Sequence, residues 1–597
     1  MTTNEVLAAV ANAVTEKKIT PSAGENIKLW LTAERYAQYV PQIAQLVEAG
    51  EWKQLDDAFW TIIPFGTGGR RGRMFPVGTN AINDVTIGES AQGLATYTLN
   101  FLKESGVERR PTCAIAYDTR HRSREFAELC ACIMVANGFK VWFLDGYRST
   151  PEMSFMVRYK QCDCGIMVTA SHNPPSDNAV KVYWASGVQV LPPHDAGIIH
   201  EVMNCKEIKT TRFEAGLANF DIEYCNEEVD SAFFDAVLKV SHPGPRDLSV
   251  VYSPLHGVGA SCVLPVLDRA GFQDVELYGP HAEPSGDFPN VPNHVSNPEN
   301  PRVFDAIIDY AKQKGGVDLI LATDPDSDRL GCAAPVTLEP GAEWKTLTGN
   351  QIGAIMTEYL LGAMQRAGEL TPEHYVVETL VTSRLVEKIA KAYGIRVIRD
   401  LLVGFKYIGG AINDNDPTKF VLGTEESYGF LIGSHARDKD AAVASLVLCE
   451  LAAEAKAEGK TIHQKLADVF AKYGIHEERA FSVVMAGSDG MERMKSVMQM
   501  FRTNPPKELA GMRVTTIEDY DSLTTTDTAT GESKPLAGPQ GNMVFLQLAE
   551  PGNYVAVRPS GTEPKVKFYL FASLPPGVQA DLADRLAVVE ADLRKVL

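Results

Sequence analysis

The sequence has little of what marks a nucleic-acid binder or a membrane protein. Its 57 Lys and Arg residues are outnumbered by 76 Asp and Glu residues, giving a net charge of −19. General binding to nucleic acid or to an anionic membrane needs a basic excess that this chain does not have. The longest uncharged apolar run, Ala441–Cys449, is well short of the ~20 residues that span a bilayer. We therefore expect neither nucleic acid nor a membrane as a partner.

Cysteines are also scarce for a chain of this length. Ten cysteines in 597 residues do not indicate a disulfide scaffold. The close pairs Cys130/Cys132 and Cys162/Cys164 have no matching second pair at the spacing of zinc ligands. Residues 1–5 lack the basic and apolar regions of a secretory signal. We expect reduced cysteines and a cytoplasmic protein.

The chain does have the alternating strands and helices of an α/β protein. It is too long for one hydrophobic core, so two to four domains are expected. Strand-like runs at 113–117, 248–252 and 375–377 each open a stretch in which strands alternate with helices and end in polar loops. This pattern predicts parallel, doubly wound sheets, whose ligand sites lie beyond the carboxyl ends of strands. Residues 1–60 are predicted to be helical, and a smaller α+β domain is predicted after about residue 475.

One polar loop places a serine directly after a buried strand. The apolar run 164–168 leads into Thr169-Ala170-Ser171-His172-Asn173-Pro174-Pro175, whose two prolines prevent the chain from continuing as a helix. A serine on such a stiff loop can carry a phosphoryl group, because nearby backbone N–H groups can bind phosphate oxygens. Taken alone, the loop also fits an ordinary turn. Ser171 is therefore a candidate phosphoryl carrier that the other motifs have to support.

A second loop carries three aspartates at alternate positions. The apolar run 317–323 leads into Asp324-Pro325-Asp326-Ser327-Asp328-Arg329, so the three carboxylates can turn to one side of a tight loop. Hard oxygen ligands gathered in this way suit Mg²⁺ or Ca²⁺. An EF-hand is excluded, because its loop needs Gly and Glu where this chain has Arg329 and Pro335. The predicted metal ligands are Asp324, Asp326 and Asp328.

Two further loops, 65–72 and 558–567, combine glycine with cationic side chains. Glycine lets the backbone approach an anion closely, and arginine binds phosphate oxygens with a fork of N–H groups. Both loops are candidate phosphate sites, and the second would belong to a domain that closes over the substrate. The candidate phosphate ligands are Arg71, Arg558, Ser560, Gly561, Thr562 and Lys567.

Acidic and basic side chains near residue 430 could serve a sugar substrate. Glu425, Glu426 and Ser427 offer two carboxylates and a hydroxyl, which fit the polyol edge of a sugar. Lys439, within Arg437-Asp438-Lys439-Asp440, could move a proton. Each of these groups on its own also fits an exposed surface.

Taken together, the four loops resemble the α-D-phosphohexomutase family, which includes phosphoglucomutases and phosphomannomutases. The serine loop, the Asp-x-Asp-x-Asp-Arg loop, the Glu-Glu-Ser loop and the Arg-Pro-Ser-Gly-Thr loop stand in the family's order within residues 65–570. The loop Gly423–Gly429 looks closer to that of phosphoglucomutases than to that of the bifunctional phosphomannomutases. In the latter a histidine stands where this chain has Gly429. The stretch 433–440 is also similar to phosphoglucomutases.

The resemblance implies three similar mixed α/β domains and a smaller C-terminal α+β domain around a central cleft. Proline- and glycine-containing linker sequences near 242–245 and 340–341 place two of the boundaries. The expected division is 1–60, 61–242, 243–342, 343–478 and 479–597, the first being the helical segment. A monomer or a small homo-oligomer is expected.

The resemblance also implies a mechanism. Ser171 would carry the phosphoryl group in the resting enzyme, and Mg²⁺ would bridge it to the three aspartates. Transfer to a hexose monophosphate would give glucose 1,6-bisphosphate, which would also act as the activator. The candidate catalytic residues are Ser171, His172, Lys181, Arg329 and Lys439, and the candidate sugar ligands are Glu425 and Ser427. Whether Lys181 or Lys439 is the general base stays open.

Other substrates and reactions also stay open. A mannose phosphate or a phosphopentose would suit the same mechanism. A metal-dependent sugar phosphatase would share the carrier residue and the aspartates, but it needs an in-line water and no second phosphate loop. A sugar-phosphate-binding protein without activity has little reason to combine Ser171 with three aspartates.

Overall fold

The computed structural model describes residues 1–66, 68–485, 490–560, 565–578 and 580–597, in which four β-sheets follow a helical N-terminal segment. No helix within these ranges is long and apolar enough to cross a membrane. All ten cysteines lie within them as free thiols.

The N-terminal segment packs its own small core. Its helices are α1 (Thr3–Thr15), α2 (Pro21–Thr32), α3 (Val40–Glu48) and α4 (Trp52–Phe59), with a 3₁₀ helix at Glu34–Tyr39. Trp30 is fully buried, stacks on Tyr36 with ring centroids 4.4 Å apart, and meets the edge of Phe59. Val77 and Val85 belong to the same hydrophobic cluster. The segment is therefore packed against the chain that builds the first sheet.

The first sheet is mixed, although the strand alternation predicted a parallel one. Its strands are β1 (Gly69–Arg73), β2 (Thr112–Tyr117), β3 (Lys140–Phe143), β4 (Cys164–Val168), β5 (Asp177–Trp184) and β6 (Ile222–Tyr224). Its helices are α5 (Asp84–Glu104), α6 (Ser123–Ala136), α7 (Thr150–Tyr159), α8 (His194–Met203), α9 (Phe213–Ala218) and α10 (Asn226–Leu238). In the order β1-β5-β4-β2-β3-β6, β5 and β1 run antiparallel to their neighbours. The connection from β4 to β5 is too short for the crossover that parallel strands need.

The second and third sheets repeat this arrangement. The second is built from β7 (Val250–Ser253), α11 (Val263–Arg269), β8 (Val275–Leu277), α12 (Asp305–Lys314), β9 (Leu319–Thr323), β10 (Leu330–Pro335) and β11 (Trp344–Thr346), with 3₁₀ helices at Gly259–Ser261, Gly279–His281, Pro292–His294 and Pro301–Phe304. The third is built from α13 (Gly349–Ala367), β12 (Tyr375–Glu378), α14 (Arg384–Ala392), β13 (Arg396–Ile398), α15 (Phe405–Asn413), β14 (Phe420–Glu425), β15 (Gly429–Ile432), α16 (Ala441–Ala457) and α17 (Ile462–Tyr473). Their strand orders are β11-β10-β9-β7-β8 and β13-β12-β14-β15.

The equivalent hairpin in each of these three sheets carries one of the loops that the sequence singled out. A parallel strand turns back into an antiparallel strand through residues 169–176, 324–329 and 426–428. The main chains of the second and third hairpins also join, because Arg329 and Gly429 form an isolated antiparallel bridge. The shared topology therefore brings the serine, aspartate and Glu-Glu-Ser loops to corresponding places.

The fourth sheet is wholly antiparallel. Its elements are β16 (His476–Val484), α18 (Gly490–Thr503), β17 (Glu508–Leu509), β18 (Met512–Asp519), β19 (Thr524–Asp527), β20 (Ser533–Pro535), β21 (Val544–Leu548), β22 (Tyr554–Pro559), β23 (Lys565–Ser573) and α19 (Leu582–Lys595). The main strand order is β16-β23-β22-β21-β18-β19-β20, and both helices contribute to one core with it. Three mixed α/β units and a smaller α+β unit confirm the predicted fold class. The predicted domain boundaries stay predictions.

A buried carboxyl group lies where the third and fourth sheets meet. Glu378, at the end of β12, is fully buried, and one of its oxygens is 3.4 Å from Nε of Arg399. Nearby, the Arg384 guanidinium lies over the Tyr554 ring of β22, 4.8 Å from its centroid. Burial raises the pKa of Glu378 from 4.5 to about 8. This group therefore makes the interface sensitive to pH.

Replacing Glu378 with glutamine is expected to make stability depend less on pH between 5 and 8. The raised pKa means that the wild-type carboxyl stabilises the fold below pH 4.5 and loses that contribution as the pH rises towards 8, by about 1.4 kcal/mol per unit. Glutamine does not titrate, so the variant should gain on the wild type as the pH rises. Urea unfolding at pH 5, 6.5 and 8 measures this, with the exposed Glu369→Gln as control. Parallel pH profiles for wild type and Glu378→Gln would contradict the expectation.

Candidate active site

Ser171 lies just beyond the carboxyl end of β4 in a left-handed backbone conformation. Its φ is 52°, and the residue is buried. Its N–H donates to Thr169 Oγ1 at 2.8 Å, and its hydroxyl donates to Asp324 Oδ2 at 2.7 Å. The same Oγ lies 3.1 Å from Nδ1 of His172. The predicted phosphoryl carrier thus touches the predicted metal loop directly.

The aspartate loop gathers its three carboxylates as the alternation predicted. Asp324, Asp326 and Asp328 are buried, and each offers an oxygen within 4.8 Å of the others. Asp324 Oδ1 accepts the N–H groups of Asp328 and Arg329, both at 3.1 Å, which closes the loop on itself. Thr150, at the start of α7, donates its hydroxyl to Asp326 Oδ2 at 2.7 Å and its N–H to the Asp326 carbonyl at 3.0 Å. Hydrogen bonds within the loop and from Thr150 therefore fix the conformation of the aspartate loop.

The donor set of this loop fits a divalent cation. Among the described residues, the buried Oδ1 atoms of Asp326 and Asp328 have no hydrogen-bond partner. Burial and the two neighbouring aspartates raise the pKa of Asp324, which shows how costly three adjacent carboxylates are here. Burial also works to raise the pKa of Asp326, but Lys181 outweighs it and holds that pKa well below its usual range. A hard dication between these oxygens and Ser171 Oγ would remove the cost.

Two lysines from different sheets approach the aspartates. Lys181 of β5 places Nζ 2.8 Å from Asp326 Oδ2 and 3.7 Å from Asp328 Oδ2. Lys439 places Nζ 3.1 Å from Asp328 Oδ2 and 3.1 Å from Asp438 Oδ1. Burial alone would lower the pKa of Lys439, but Asp328 and Asp438 outweigh it and hold the pKa above its usual value. Both lysines that the sequence proposed are thus at the aspartate loop, and the ammonium of Lys439 is charged there.

The loop around Lys439 is rigidly built, which the sequence did not reveal. Tyr183 donates its hydroxyl to Asp438 Oδ2 at 2.6 Å. Asp440 accepts the N–H of Ala442 at 2.8 Å as the N-cap of α16, and its other oxygen lies 2.7 Å from His435 Nε2. These contacts lock the main chain on both sides of Lys439.

Two arginines and a neutral histidine also lie near the serine loop. Arg329 forms an ion pair with Glu299. Arg71, on the edge strand β1, is exposed and donates to Asn173 Oδ1 at 3.4 Å. Burial, with Arg329 and Arg71 adding to it, holds the pKa of His172 well below its usual range, so its imidazole is neutral at pH 7.

The Glu-Glu-Ser loop faces Lys439 across a glycine. A Cβ on Gly429 would lie 2.2 Å from Cδ of Lys439 and 2.9 Å from Oε1 of Glu425, so no side chain fits between them. Glu425 is buried, whereas Ser427 is half-buried. Burial raises the pKa of Glu426 to about 7, against the opposing effect of Lys567. The buried Glu425 and the charged Lys439 are therefore immediate neighbours.

The C-terminal loop reaches the same region from the fourth sheet. Arg558 on β22 pairs in register with Lys567 on β23, and Lys567 Nζ lies 3.9 Å from Glu426. Ser560 donates its N–H to the carbonyl of Lys565 at 2.7 Å. The predicted ligands Gly561 and Thr562 lie outside the described residues.

A cleft of about 710 Å³ lies in the first α/β unit, a volume within the range of small-molecule sites. Arg71, Asn173 and Lys181 are among the residues that line it. Asp57 and Trp60, at the end of the N-terminal segment, line it as well. The sequence assigned no chemistry to this segment, and nothing local in it indicates that it borders the cleft.

Three domain models of one known family match more than half of this chain. Models of the phosphoglucomutase/phosphomannomutase family match its alpha/beta/alpha domain I at residues 63–209, domain II at 231–336 and domain III at 348–473. A phosphoglucomutase of Staphylococcus haemolyticus is 35% identical over 523 residues, covering 86% of this chain and 91% of the relative. That of Staphylococcus epidermidis is 34% identical over 520 residues, with the same shares covered.

Solved structures share the fold at lower identity. A phosphoglucomutase/phosphomannomutase family protein of Burkholderia thailandensis matches with a TM-score of 0.62 at 16% identity, over 90% of this chain and 97% of that one. The open form of the Paramecium phosphoprotein parafusin, a phosphoglucomutase, matches with a TM-score of 0.61 at 18% identity, over 89% and 93%. With three matched domains and relatives above 30% identity over most of its length, this chain belongs to the phosphoglucomutase/phosphomannomutase family.

Proposed function

We propose that this enzyme interconverts glucose 1-phosphate and glucose 6-phosphate through a phosphoserine at Ser171. The observation that carries the proposal is the 2.7 Å contact between the Ser171 hydroxyl and Asp324, within a buried cluster of three carboxylates. The names of the relatives from two Staphylococcus species favour glucose as the sugar. Phosphorylated Ser171 gives its phosphoryl group to the free hydroxyl of the bound monophosphate, which forms glucose 1,6-bisphosphate. The bisphosphate then reorients in the site, and its other phosphoryl group is transferred to Ser171.

We propose Mg²⁺ as the resident metal, held by Asp324, Asp326, Asp328 and the oxygens on Ser171. Bound there, it would offset the negative charge that develops on the phosphoryl oxygens during transfer. The two unpartnered Oδ1 atoms in the cluster support this assignment. Arg329 and Arg71 would contact the other oxygens of the phosphoserine, and His172 Nδ1 would hold the Ser171 Oγ in place through their 3.1 Å contact.

The proton of the attacking hydroxyl is proposed to go to Lys439, with Lys181 fixing the metal loop. Lys439 lies between Asp328 and Glu425, so it can reach a sugar held by the Glu-Glu-Ser loop. Lys181 instead donates to Asp326 inside the carboxylate cluster. A dication sharing Asp328 would weaken the interaction that keeps Lys439 charged, which would bring its pKa towards the range of a base.

The substrate is proposed to bind between the third and fourth sheets. Glu425 and Ser427 would bind sugar hydroxyls. Arg558 and Lys567, neighbours on β22 and β23, would bind the distal phosphate. The further proposed ligands of that phosphate are Ser560, Gly561 and Thr562. One distal site has to accept either phosphate of the bisphosphate, because the sugar is bound in two orientations during the cycle.

Replacing Arg558 with alanine is expected to raise KM for the sugar phosphate about 10- to 100-fold, the effect of losing a charge-assisted hydrogen bond. The turnover number should fall much less, because Arg558 is proposed to bind the distal phosphate and not the phosphoryl group that is transferred. Steady-state kinetics measure both constants. Arg513→Ala, which removes an exposed arginine from β18 of the same sheet, is the control. An unchanged KM would remove Arg558 from the site.

The proposed function is tested with glucose 1-phosphate, Mg²⁺ and a trace of glucose 1,6-bisphosphate, with formation of glucose 6-phosphate followed by a coupled assay. Mannose 1-phosphate and ribose 1-phosphate are compared under the same conditions. Fast, Mg²⁺-dependent isomerisation of the glucose ester is expected. Preference for another sugar would change the substrate, and release of phosphate without isomerisation would indicate a phosphatase.

A further inference from the structure

A buried arginine that none of the four motifs contains holds the backbone of the serine loop. Arg120 follows β2 and is 3% exposed. Its Nε donates to the carbonyl of Ser171 at 3.1 Å, and its Nη1 donates to the carbonyls of Pro174 at 2.8 Å and Asp177 at 3.1 Å. Its Nη2 donates to the carbonyls of Ser171 and Asn173. One guanidinium thus gathers three carbonyls of the loop between β4 and β5 and the carbonyl of the first residue of β5.

The guanidinium is itself fixed from two sides. The carboxylate of Asp118 lies 3.6 Å from its Nε, and Asp118 Oδ1 also accepts the Arg120 N–H at 3.0 Å. Asp118 is held in turn by the hydroxyl of Ser123 at 2.7 Å. On the other side, the Arg120 guanidinium lies over the ring of Phe288, from the chain of the second sheet, 5.0 Å from its centroid. Arg120 is therefore anchored where the serine loop and the second α/β unit meet.

We propose that Arg120 is a positioning residue for the phosphoryl carrier. Ser171 has a φ of 52°, an unfavourable backbone conformation that L-residues other than Asn and Asp rarely adopt. By binding the carbonyls of residues 171, 173, 174 and 177, Arg120 fixes the conformation of the loop in which Ser171 has this unfavourable φ. It thereby holds Ser171 Oγ at hydrogen-bond distance from Asp324 across the cleft between two sheets.

This role requires an arginine. Its planar fork presents five N–H donors in fixed directions, and the contacts here use both Nη groups and Nε. A lysine at the same position keeps the charge and the apolar stem, but its donors radiate from one atom. It could reach some of the four carbonyls, but it could not hold them in one plane.

The proposal rests on the proposed phosphoserine mechanism and predicts a particular kinetic signature. Displacing a reacting group by about 1 Å can cost about 100-fold in rate. Arg120→Lys should therefore lower kcat about 100-fold. KM should stay near its wild-type value, because the proposed distal phosphate and sugar ligands lie on the third and fourth sheets. An arginine that served folding alone would instead lower the melting temperature and the active fraction, leaving kcat per folded molecule unchanged.

The test compares Arg120→Lys with Arg246→Lys, a matched control. Arg246 also binds backbone carbonyls, those of Ala270 at 3.0 Å and His242 at 2.8 Å. It pairs with Glu450 at 2.8 Å and lies 5.1 Å from the centroid of Phe272. It thus makes the same three kinds of contact at a site remote from the serine loop. Wild type is assayed first, because absence of mutase activity there contradicts the proposed function and not the role of Arg120.

For each folded variant, kcat, KM, the melting temperature and the rate of phosphate loss from phosphoserine to water are measured. We expect Arg120→Lys to lower kcat selectively and to transfer less of its phosphoryl group to sugar relative to water, whereas Arg246→Lys keeps the wild-type kcat and partition. Wild-type kcat in Arg120→Lys, or an equal fall in both variants, would overturn the proposal. If Arg120→Lys does not fold, Asp118→Asn, which weakens the anchor of Arg120, should show a smaller selective fall in kcat, and an unchanged kcat would again overturn it.

Discussion

Replacing Ser171 with alanine should lower mutase turnover by on the order of 10⁴- to 10⁶-fold, the loss seen when a covalent carrier is removed. The hydroxyl is the atom that would accept and return the phosphoryl group, and it donates directly to Asp324 at 2.7 Å. The fold should persist, because the loop backbone is held by Arg120 and by Thr169, not by the Ser171 side chain. Turnover, thermal unfolding and the phosphate content of the purified protein are measured together.

Ser176→Ala is the matched control for this experiment. Ser176 lies in the same loop, is exposed, and donates its hydroxyl to Asp177 at 2.8 Å. Its replacement should leave turnover within a few-fold of wild type and should leave the protein phosphorylated. Near-normal turnover in Ser171→Ala, or phosphate retained on that variant, would rule out Ser171 as the carrier.

The sequence singles out the serine and aspartate loops because each of them follows a strongly apolar strand. Such strands are recognisable locally, and their carboxyl ends mark where ligands bind in α/β sheets. The serine and aspartate loops follow the fully buried strands β4 and β9. Their direct contact, from Ser171 to Asp324, could be inferred only through the family resemblance, because the two residues are 153 positions apart.

Residues that act between sheets escaped prediction for a related reason. Thr150 donates to Asp326 from the start of α7 in the first α/β unit, and Tyr183 donates to Asp438 across 255 positions. Neither residue stands in a motif. Thr150 fits an ordinary helix start, and Tyr183 fits an ordinary strand. Arg120 lies in the polar loop that follows β2. The sequence alone does not distinguish a buried arginine that binds carbonyls from an exposed one. The antiparallel course of β5 likewise depends on loop length and not on the apolar pattern of the strand.

Replacing Asp324 with asparagine should separate activity from stability. The change removes one charge from the cluster, so we expect loss of Mg²⁺ binding and a fall in turnover of about 10³-fold or more, the scale of losing several kcal/mol of charge stabilisation. Burial and the two neighbouring aspartates raise the pKa of Asp324, so its ionised form destabilises the metal-free fold. The amide is isosteric and its oxygen can still accept the N–H groups of Asp328 and Arg329. The metal-free variant should therefore melt at or above the temperature of metal-free wild type.

Adding Mg²⁺ provides the decisive comparison, because a ligand that binds only the folded state raises the melting temperature. Wild type should respond to Mg²⁺ by several degrees, and Asp324→Asn should not. Asp318→Asn is the control, since Asp318 precedes the same strand β9 at its opposite end and pairs there with Lys456 at 3.0 Å. It should keep the full response to Mg²⁺. A Mg²⁺ response preserved in Asp324→Asn would place the cation elsewhere. A large loss of stability in the metal-free variant would mean that hydrogen bonds to the Asp324 carboxylate outweigh the repulsion within the cluster.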